Sequence, residues 1–196
     1  MGVSKTQVAE NRKAIVDTAA RVFRARGVGG IGVVDLMKEA GFTHGGFYNH
    51  FESKEALAAE AFNVAFAASL ERLNDALESH PENTESILHD VLQDYLSVSA
   101  RDNPGAACPS STLVVDAARH GEQLQTAYAA AIENFVSVLT RALPRMDGED
   151  AAAARERSLD LLSGMIGAIV LARGLARADR ALSDEVLAIG RKRLPV

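Results

Sequence analysis

Residues 33–57, VVDLMKEAGFTHGGFYNHFESKEAL, leave few folds open to this chain. Val33, Leu36, Met37 and Ala40 stand at offsets of three, four and seven, the spacing of one face of a short helix. Gly41 follows as the stop, because the residue after a helix takes the left-handed conformation that glycine adopts cheaply. Phe42 then returns to the core. Thr43 is an N-cap, its hydroxyl placed to accept a backbone N–H of a second short helix, His44 to Phe51. Phe47 and Phe51, four apart, face inward, which turns His44, Gly45, Tyr48, Asn49 and His50 outward. Ser53 caps a third helix, with Lys54 in its first turn. Two short helices around a tight turn form a helix-turn-helix, whose second helix enters the DNA major groove. The outward residues have the chemistry for reading DNA. Asn pairs with adenine through two hydrogen bonds, and His and Tyr reach phosphates or base edges. Gly45 and Gly46 each cost about 1 kcal/mol relative to alanine within a helix, and close approach of backbone to groove is a reason to keep them.

The rest of the chain reads as helices. Of its 196 residues 47% are apolar, none is Trp and only five are Pro, which favours an all-α fold. A first helix spans about Gln7 to Arg26 behind a loose start, with Ile15, Ala19, Val22 and Phe23 inward. Arg12 and Lys13 lie mostly off that stripe. Residues 27–32, GVGGIG, match a dinucleotide-binding glycine pattern letter for letter, but they follow an arginine-rich amphipathic helix where the motif needs a buried strand. Gly27 is better read as a C-cap and Gly32 as an N-cap. A long helix is expected from Ser53 to Ser79, with Leu57, Ala61, Val64, Ala65, Leu70, Leu73 and Leu77 inward, widened by Phe62 and Phe66 and broken at His80-Pro81. Further helices are expected over 84–100, from Pro109 to near Gly121, over 124–143, 151–178 and 183–193. About nine helices result.

Residues 1–56 carry eight Lys or Arg against six Asp or Glu, a net of +2, while residues 57–196 carry thirteen against twenty, a net of −7. A mildly basic head on an acidic body fits a DNA reader whose body binds something else. The five His show no i,i+4 pair and no spacing to the cysteine that suits a metal, and neither a G-x-S-x-G elbow nor a P-loop is present. No enzyme chemistry, metal or cofactor is therefore expected. The single cysteine, Cys108, excludes an internal disulfide. Its place before Pro109, at a helix start and near Arg101, leaves two readings: a reactive thiolate that senses electrophiles or oxidants, or a small buried apolar residue. The N-terminus has no apolar signal region, and the longest apolar run, Leu161 to Ala172, is shorter than the roughly 18 residues of a membrane span, so a cytoplasmic protein without a membrane partner is expected.

THGGFYNHFESKEAL resembles the DNA-binding signature of TetR/AcrR-type transcriptional regulators, with the closest likeness over residues 10–57. Ile31 and Gly32 stand where many members carry a phosphate-contacting Thr or Ser, and the resemblance implies that the N-terminal part of the first helix skirts phosphate, with Arg12 or Lys13 making that contact. The resemblance implies a DNA-binding head over 1–56 and an effector-binding and dimerisation body over 57–196. It implies a repressor that binds double-stranded, palindromic operator DNA as a homodimer and leaves it when a small effector binds. The DNA-contacting set is then Thr43, His44, Gly45, Gly46, Tyr48, Asn49, His50 and Lys54. An effector pocket inside the body draws on Phe62, Phe66, Tyr95, Cys108, Leu113, Tyr128, Phe135 and Met165. The run LLSGMIGAIVLARGLA is apolar almost all round, and Gly164, Gly167, Ala168 and Leu171 form a strip for a partner's helix in a four-helix interface. The alternative from another class is a helical small-molecule-binding or thiol redox-sensing protein whose head docks a protein.

Overall fold

Ser4 opens the first helix: its hydroxyl accepts the Gln7 N–H at 3.1 Å, so α1 (Lys5–Arg26) begins earlier than the sequence pattern indicates. The computed structural model describes residues 4–79 and 81–193; residues 1–3, expected to be loose, lie outside them, as does His80. The expectation of a loose start extending to residue 7 is corrected, because the Ser4 cap supplies an acceptor for an otherwise unpaired donor. The described residues form ten α-helices and two short 3-10 helices, with no strand among them.

Ile15, Ala19, Val22 and Phe23 of α1 are fully or almost fully buried. Gly27 ends the helix at φ +76°, its N–H donating to the Phe23 carbonyl at 2.8 Å. α2 (Val33–Glu39) buries Leu36 and Met37 and is closed by Gly41 at φ +84°, the left-handed conformation expected of it. After the second short helix, Ser53 accepts the Ala56 N–H at 3.0 Å and starts α3 (Lys54–Ser79). α3 packs against α1 near its start and against α8 (Glu122–Ala142) further on, so it joins the N-terminal helices to the rest. Val64 is 39% exposed rather than buried. It lies two residues past Phe62, about 200° round the helix, and so off the buried stripe.

Two long helices expected from the sequence are each broken in two. The segment expected as one helix over 84–100 is α4 (Thr84–Tyr95) and α5 (Val98–Asp102), because Ser97 turns its hydroxyl to the Ala100 N–H at 3.0 Å and starts a new helix. The segment after Cys108 is α6 (Pro109–Thr112) and α7 (Val114–Arg119), divided at Leu113. Arg173, from the distant α9 (Ala151–Leu175), donates to the Ser111 carbonyl at 3.2 Å, an acceptor that a continuous helix would use. Ser111 and Thr112 hydroxyls meanwhile donate back to the Cys108 carbonyl at 3.2 and 3.4 Å, local bonds that compete with helix propagation.

α9 and α10 (Arg180–Lys192) lie against each other, with Gly190 so close that an added Cβ would stand 3.1 Å from Leu96 Cδ1 and 3.2 Å from Ala168 Cβ. α9 is 25 residues long, and an 18-residue window of it has a mean hydropathy of 1.5, enough to cross a membrane by length and composition alone. The helix extends the Leu161–Ala172 run through the alanines and other weakly apolar residues beside it. Only 28% of that window is buried within the chain, so α9 leaves apolar surface uncovered.

Candidate nucleic-acid interface and ligand cavity

The second short helix is a 3-10 helix over His44–Asn49, not an α-helix reaching Phe51. Thr43 holds the N-cap position but its hydroxyl makes no capping bond, against expectation. The donor it would take, the Gly46 N–H, already reaches the Thr43 carbonyl at 3.1 Å in the tighter i to i+3 pattern. Phe47 and Phe51 are buried, ring centroids 5.6 Å apart, and anchor the helix on the core. His44, Gly45, Tyr48 and Asn49 are exposed, Tyr48 at 67%. A Cβ at Gly45 would meet nothing within 4 Å, and one at Gly46 only the Met37 Cε at 3.8 Å. The fold therefore does not require either glycine.

His50 sits differently from its neighbours. It is half-buried against Phe51, and its Nδ1 is buried without a hydrogen-bond partner. Lys54 turns its ammonium to the Ile31 carbonyl at 2.5 Å, tying α3 to the loop before α2. Arg12, a candidate for phosphate, is held by Glu60 through both guanidinium nitrogens and lies over the Phe51 ring at 4.6 Å. Lys13 pairs with Asp17 at 2.6 Å on the exposed face of α1.

In the body, α3, α4, α8 and α9 surround a cavity of about 490 Å³, which the loop to α6 completes. Tyr95, Cys108, Phe135 and Met165 line it. Phe62, Phe66, Leu113 and Tyr128 do not. Phe62 and Leu113 are consumed by the core, and Phe66 packs edge-on against Tyr128 and Phe135 at 5.7 and 6.0 Å between centroids. Tyr128 acts from behind the wall, donating to the Ser110 carbonyl at 2.6 Å. The lining residues missed from sequence include Leu88, Leu92, Leu139, Leu162 and Ser110. The leucines carry an ordinary helical-stripe signal that cannot tell cavity from core, and Ser110 carries none. Burial pushes the Tyr95 hydroxyl well above its usual range, and the Tyr128 hydroxyl likewise.

Cys108 is partly buried and lies 3.2 Å from Ser110 Oγ. Arg101 does not fold back to it. Its side chain is fully buried and bound to Asp102, Ser183 and Asp184, which fixes α5 to α10. The helix that Cys108 precedes is a single turn, Pro109–Thr112, and offers little dipole. Among the described residues no group of three or more His, Cys, Asp or Glu side chains is placed to hold a metal ion.

On an adjoining face of α9, with Met165 lining both, a second concavity, also about 490 Å³, runs between α9 and α10. Gly164, Gly167, Ala168 and Leu171 line it together, with Val186, Ile189 and Gly190 across from them. Ala168 is already packed on Gly190, but Cβ atoms at Gly164 and Gly167 would meet nothing within 4 Å, and Leu171 is 55% exposed.

Residues 15–61 match the family model of the bacterial regulatory proteins of the tetR family. The match assigns a TetR-type DNA-binding segment to residues 15–61. The chain's similarity to such proteins extends into the body. It is 25% identical over 134 residues to the HTH-type transcriptional repressor NemR of Escherichia coli K12, covering 68% of this chain and 67% of that protein. It is 27% identical over 163 residues to the HTH-type transcriptional regulator LmrA of Bacillus subtilis, covering 83% and 86%. Among solved structures, the reduced form of E. coli NemR shares the fold with a TM-score of 0.72 at 22% identity, over 93% of this chain and 97% of that one. The Bacillus subtilis regulator FadR in complex with stearoyl-CoA gives 0.62 at 20% identity, over 93% and 99%. The matched span includes the glycine-fronted 3-10 helix and its Phe47–Phe51 anchor and ends within α3.

Proposed function

We propose that this chain is a TetR-type repressor that binds a palindromic operator as a homodimer through the His44–Asn49 helix and is released when a small molecule enters the α3–α4–α8–α9 cavity. The observation that carries the reading is the outward set of His44, Gly45, Tyr48 and Asn49 on a helix whose inward residues are fully anchored. Exposed polar side chains beside two sterically free glycines fit a partner that approaches the backbone closely. The division is a head over 1–56 and a body over 57–196, with α3 starting in the one and continuing through the other. The DNA contacts are assigned to Thr43, His44, Gly45, Gly46, Tyr48 and Asn49. His50 and Lys54 act by supporting that face. Operator DNA places the protein in the cytoplasm.

The open α9–α10 groove supports self-association. Gly164, Gly167 and Leu171 offer a partner's helices a flat apolar strip, and covering it removes the exposed surface of α9 from water. The FadR neighbour is described with stearoyl-CoA bound; the cavity here gives the same kind of body room for a ligand of its own. One segment touches both cavity and head. Asp116 of α7 accepts the Val28 N–H at 2.7 Å, and Arg24 of α1 donates to the Ala107 carbonyl at 3.1 Å. Ala107 and Cys108 line the cavity, so a ligand that moves this segment moves the support of the head.

A gel-shift titration on the DNA upstream of the protein's own gene, at several salt concentrations, tests the reading. Sequence-dependent binding whose affinity falls steeply with salt is expected, with light scattering giving twice the chain mass. Salt-insensitive or sequence-independent retention would overturn it.

A further inference from the structure

The cavity has one polar wall, and the hydrogen bonds along that wall leave a donor over. Ser69 donates to Cys108 Sγ at 3.6 Å, Cys108 Sγ lies 3.2 Å from Ser110 Oγ, and Ser110 Oγ lies 2.9 Å from Tyr95 Oη. All four residues line the cavity. Each carries one O–H or S–H, so four donors share three contacts. Whichever way the chain of bonds is oriented, one hydrogen finds no acceptor within it. The groups behind the wall are already engaged: Ser111 donates to the Cys108 carbonyl and accepts from Arg173, and Tyr128 donates to the Ser110 carbonyl. A surplus donor facing a largely apolar space asks the contents of that space for an acceptor.

Charge narrows what the contents can be. Two guanidiniums stand behind the wall; the hydrogen bonds they make go to backbone carbonyls and a hydroxyl, and the buried Arg173 Nε makes none. Arg24 reaches the Ala20 and Ala107 carbonyls at 2.9 and 3.1 Å. Arg173 reaches the Ala100 and Ser111 carbonyls at 2.9 and 3.2 Å and Ser111 Oγ at 3.1 Å. Their positive field opposes a cation at the polar wall. At the mouth the exposed Asp90 and Asp94, one turn apart on α4, outnumber Arg72 and oppose an anion. At the polar wall itself no charged side chain lines the cavity, so an ionised group seated there would have no ion-pair partner in contact with it.

We propose that the cavity takes an uncharged, mainly apolar compound bearing a carbonyl oxygen, seated on the Ser110–Tyr95 pair with its body among Leu88, Leu92, Phe135 and Leu139. The volume of about 490 Å³ accommodates a fused two-ring compound. Binding is reversible and does not need the thiol to react. The inference rests on the reading of this cavity as the effector site.

Four probes with one apolar body and different polar ends test it: naphthalene, 2-acetonaphthone, 2-naphthoate and 2-(aminomethyl)naphthalene, titrated into the full-length protein by equilibrium dialysis. The ketone is expected to bind about tenfold tighter than naphthalene and tighter than either charged probe. In the double variant Tyr95→Phe/Ser110→Ala the ketone falls to the affinity of naphthalene, while naphthalene itself binds as before, which shows that the cavity still folds. Cys108→Ala leaves the preference for the ketone in place. Equal binding of ketone and naphthalene, tighter binding of the acid or the amine, or failure of all four to bind overturns the proposal. A gel shift with the ketone separates the two readings. If the ketone binds with the expected preference but leaves operator affinity unchanged, the ligand class stands and the effector role falls.

Discussion

A methyl group added at Gly45 meets no atom within 4 Å, and Gly45 is not in the left-handed region. Gly45→Ala therefore has only the helical gain available to the fold, about 0.5–1 kcal/mol. Thermal unfolding of this variant is expected at or above the wild-type temperature while operator affinity drops, because the methyl lies where the groove approaches. Unchanged operator binding would remove Gly45 from the interface. Asn49, exposed at the end of the same helix, is the residue best equipped to read adenine. Asn49→Ala is expected to cost about 1–3 kcal/mol on the preferred site and to relax base preference, as measured across a panel of operator variants. Lys54 belongs to a different class of residue. The family resemblance put it among the DNA contacts, and its ammonium is bound to the Ile31 carbonyl, so Lys54→Ala should lower the unfolding temperature as well as DNA affinity.

At the scale of elements, the α9–α10 pair contains two kinds of glycine that the sequence does not distinguish. Gly190 is where the two helices touch within one chain, and Gly167 is open. Gly167→Leu is expected to shift the protein toward monomer in light scattering with little change in protomer helicity, and to weaken operator binding with it, since two half-sites need two heads. Lost helicity at the same substitution would place Gly167 in the protomer core instead. α5 is held to α10 by an ionic cluster. Hydrogen bonds from Arg101 and then Arg180 pull the Asp102 carboxyl down to about 2. A carboxylate lowered in the folded state stabilises above its unfolded value of about 3.9 and loses that contribution as pH falls toward 2. Asp102→Asn should accordingly flatten the fall of thermal stability between about pH 4 and pH 2, relative to wild type.

For the molecule as a whole, the question is how a cavity in the body reaches a helix at the far end of α1. The route available is the 104–116 segment, which carries cavity wall at Ala106, Ala107, Cys108 and Ser110 and holds the head at Val28 and Arg24. Asp116 also lies 3.7 Å from His120 Nε2, so it is fixed from both sides. Asp116→Ala removes the acceptor for the Val28 N–H. It is expected to leave ligand binding to the cavity intact while reducing the ligand's effect on operator affinity, normally about 1–3 kcal/mol in coupled sites. Gel shifts at saturating ligand measure that difference, and full coupling in the variant would rule the segment out as the route.

Much of this was legible in residues alone. The stripes of Ile15, Ala19, Val22 and Phe23, the Phe47–Phe51 anchor, the stops at Gly27 and Gly41 and the cap at Ser53 are local: each depends on helical period or on backbone groups within four residues. The strip of Gly164, Gly167, Ala168 and Leu171 was visible for the same reason, since residues three and four apart share a face. What only the tertiary structure decided involves partners distant in the chain. Arg173 takes the Ser111 carbonyl and splits a helix that periodicity joined. Glu60 takes Arg12 away from phosphate, and Asp184 takes Arg101 away from Cys108. Tyr95, Cys108, Phe135 and Met165 came to line one cavity while Phe62, Phe66 and Leu113 were packed into the core and Tyr128 went behind the cavity wall. An apolar residue at helical spacing looks the same whether the space before it is filled or empty, because period reports only which way a side chain points. Whether another side chain meets it there is settled by how four helices from different parts of the chain come together.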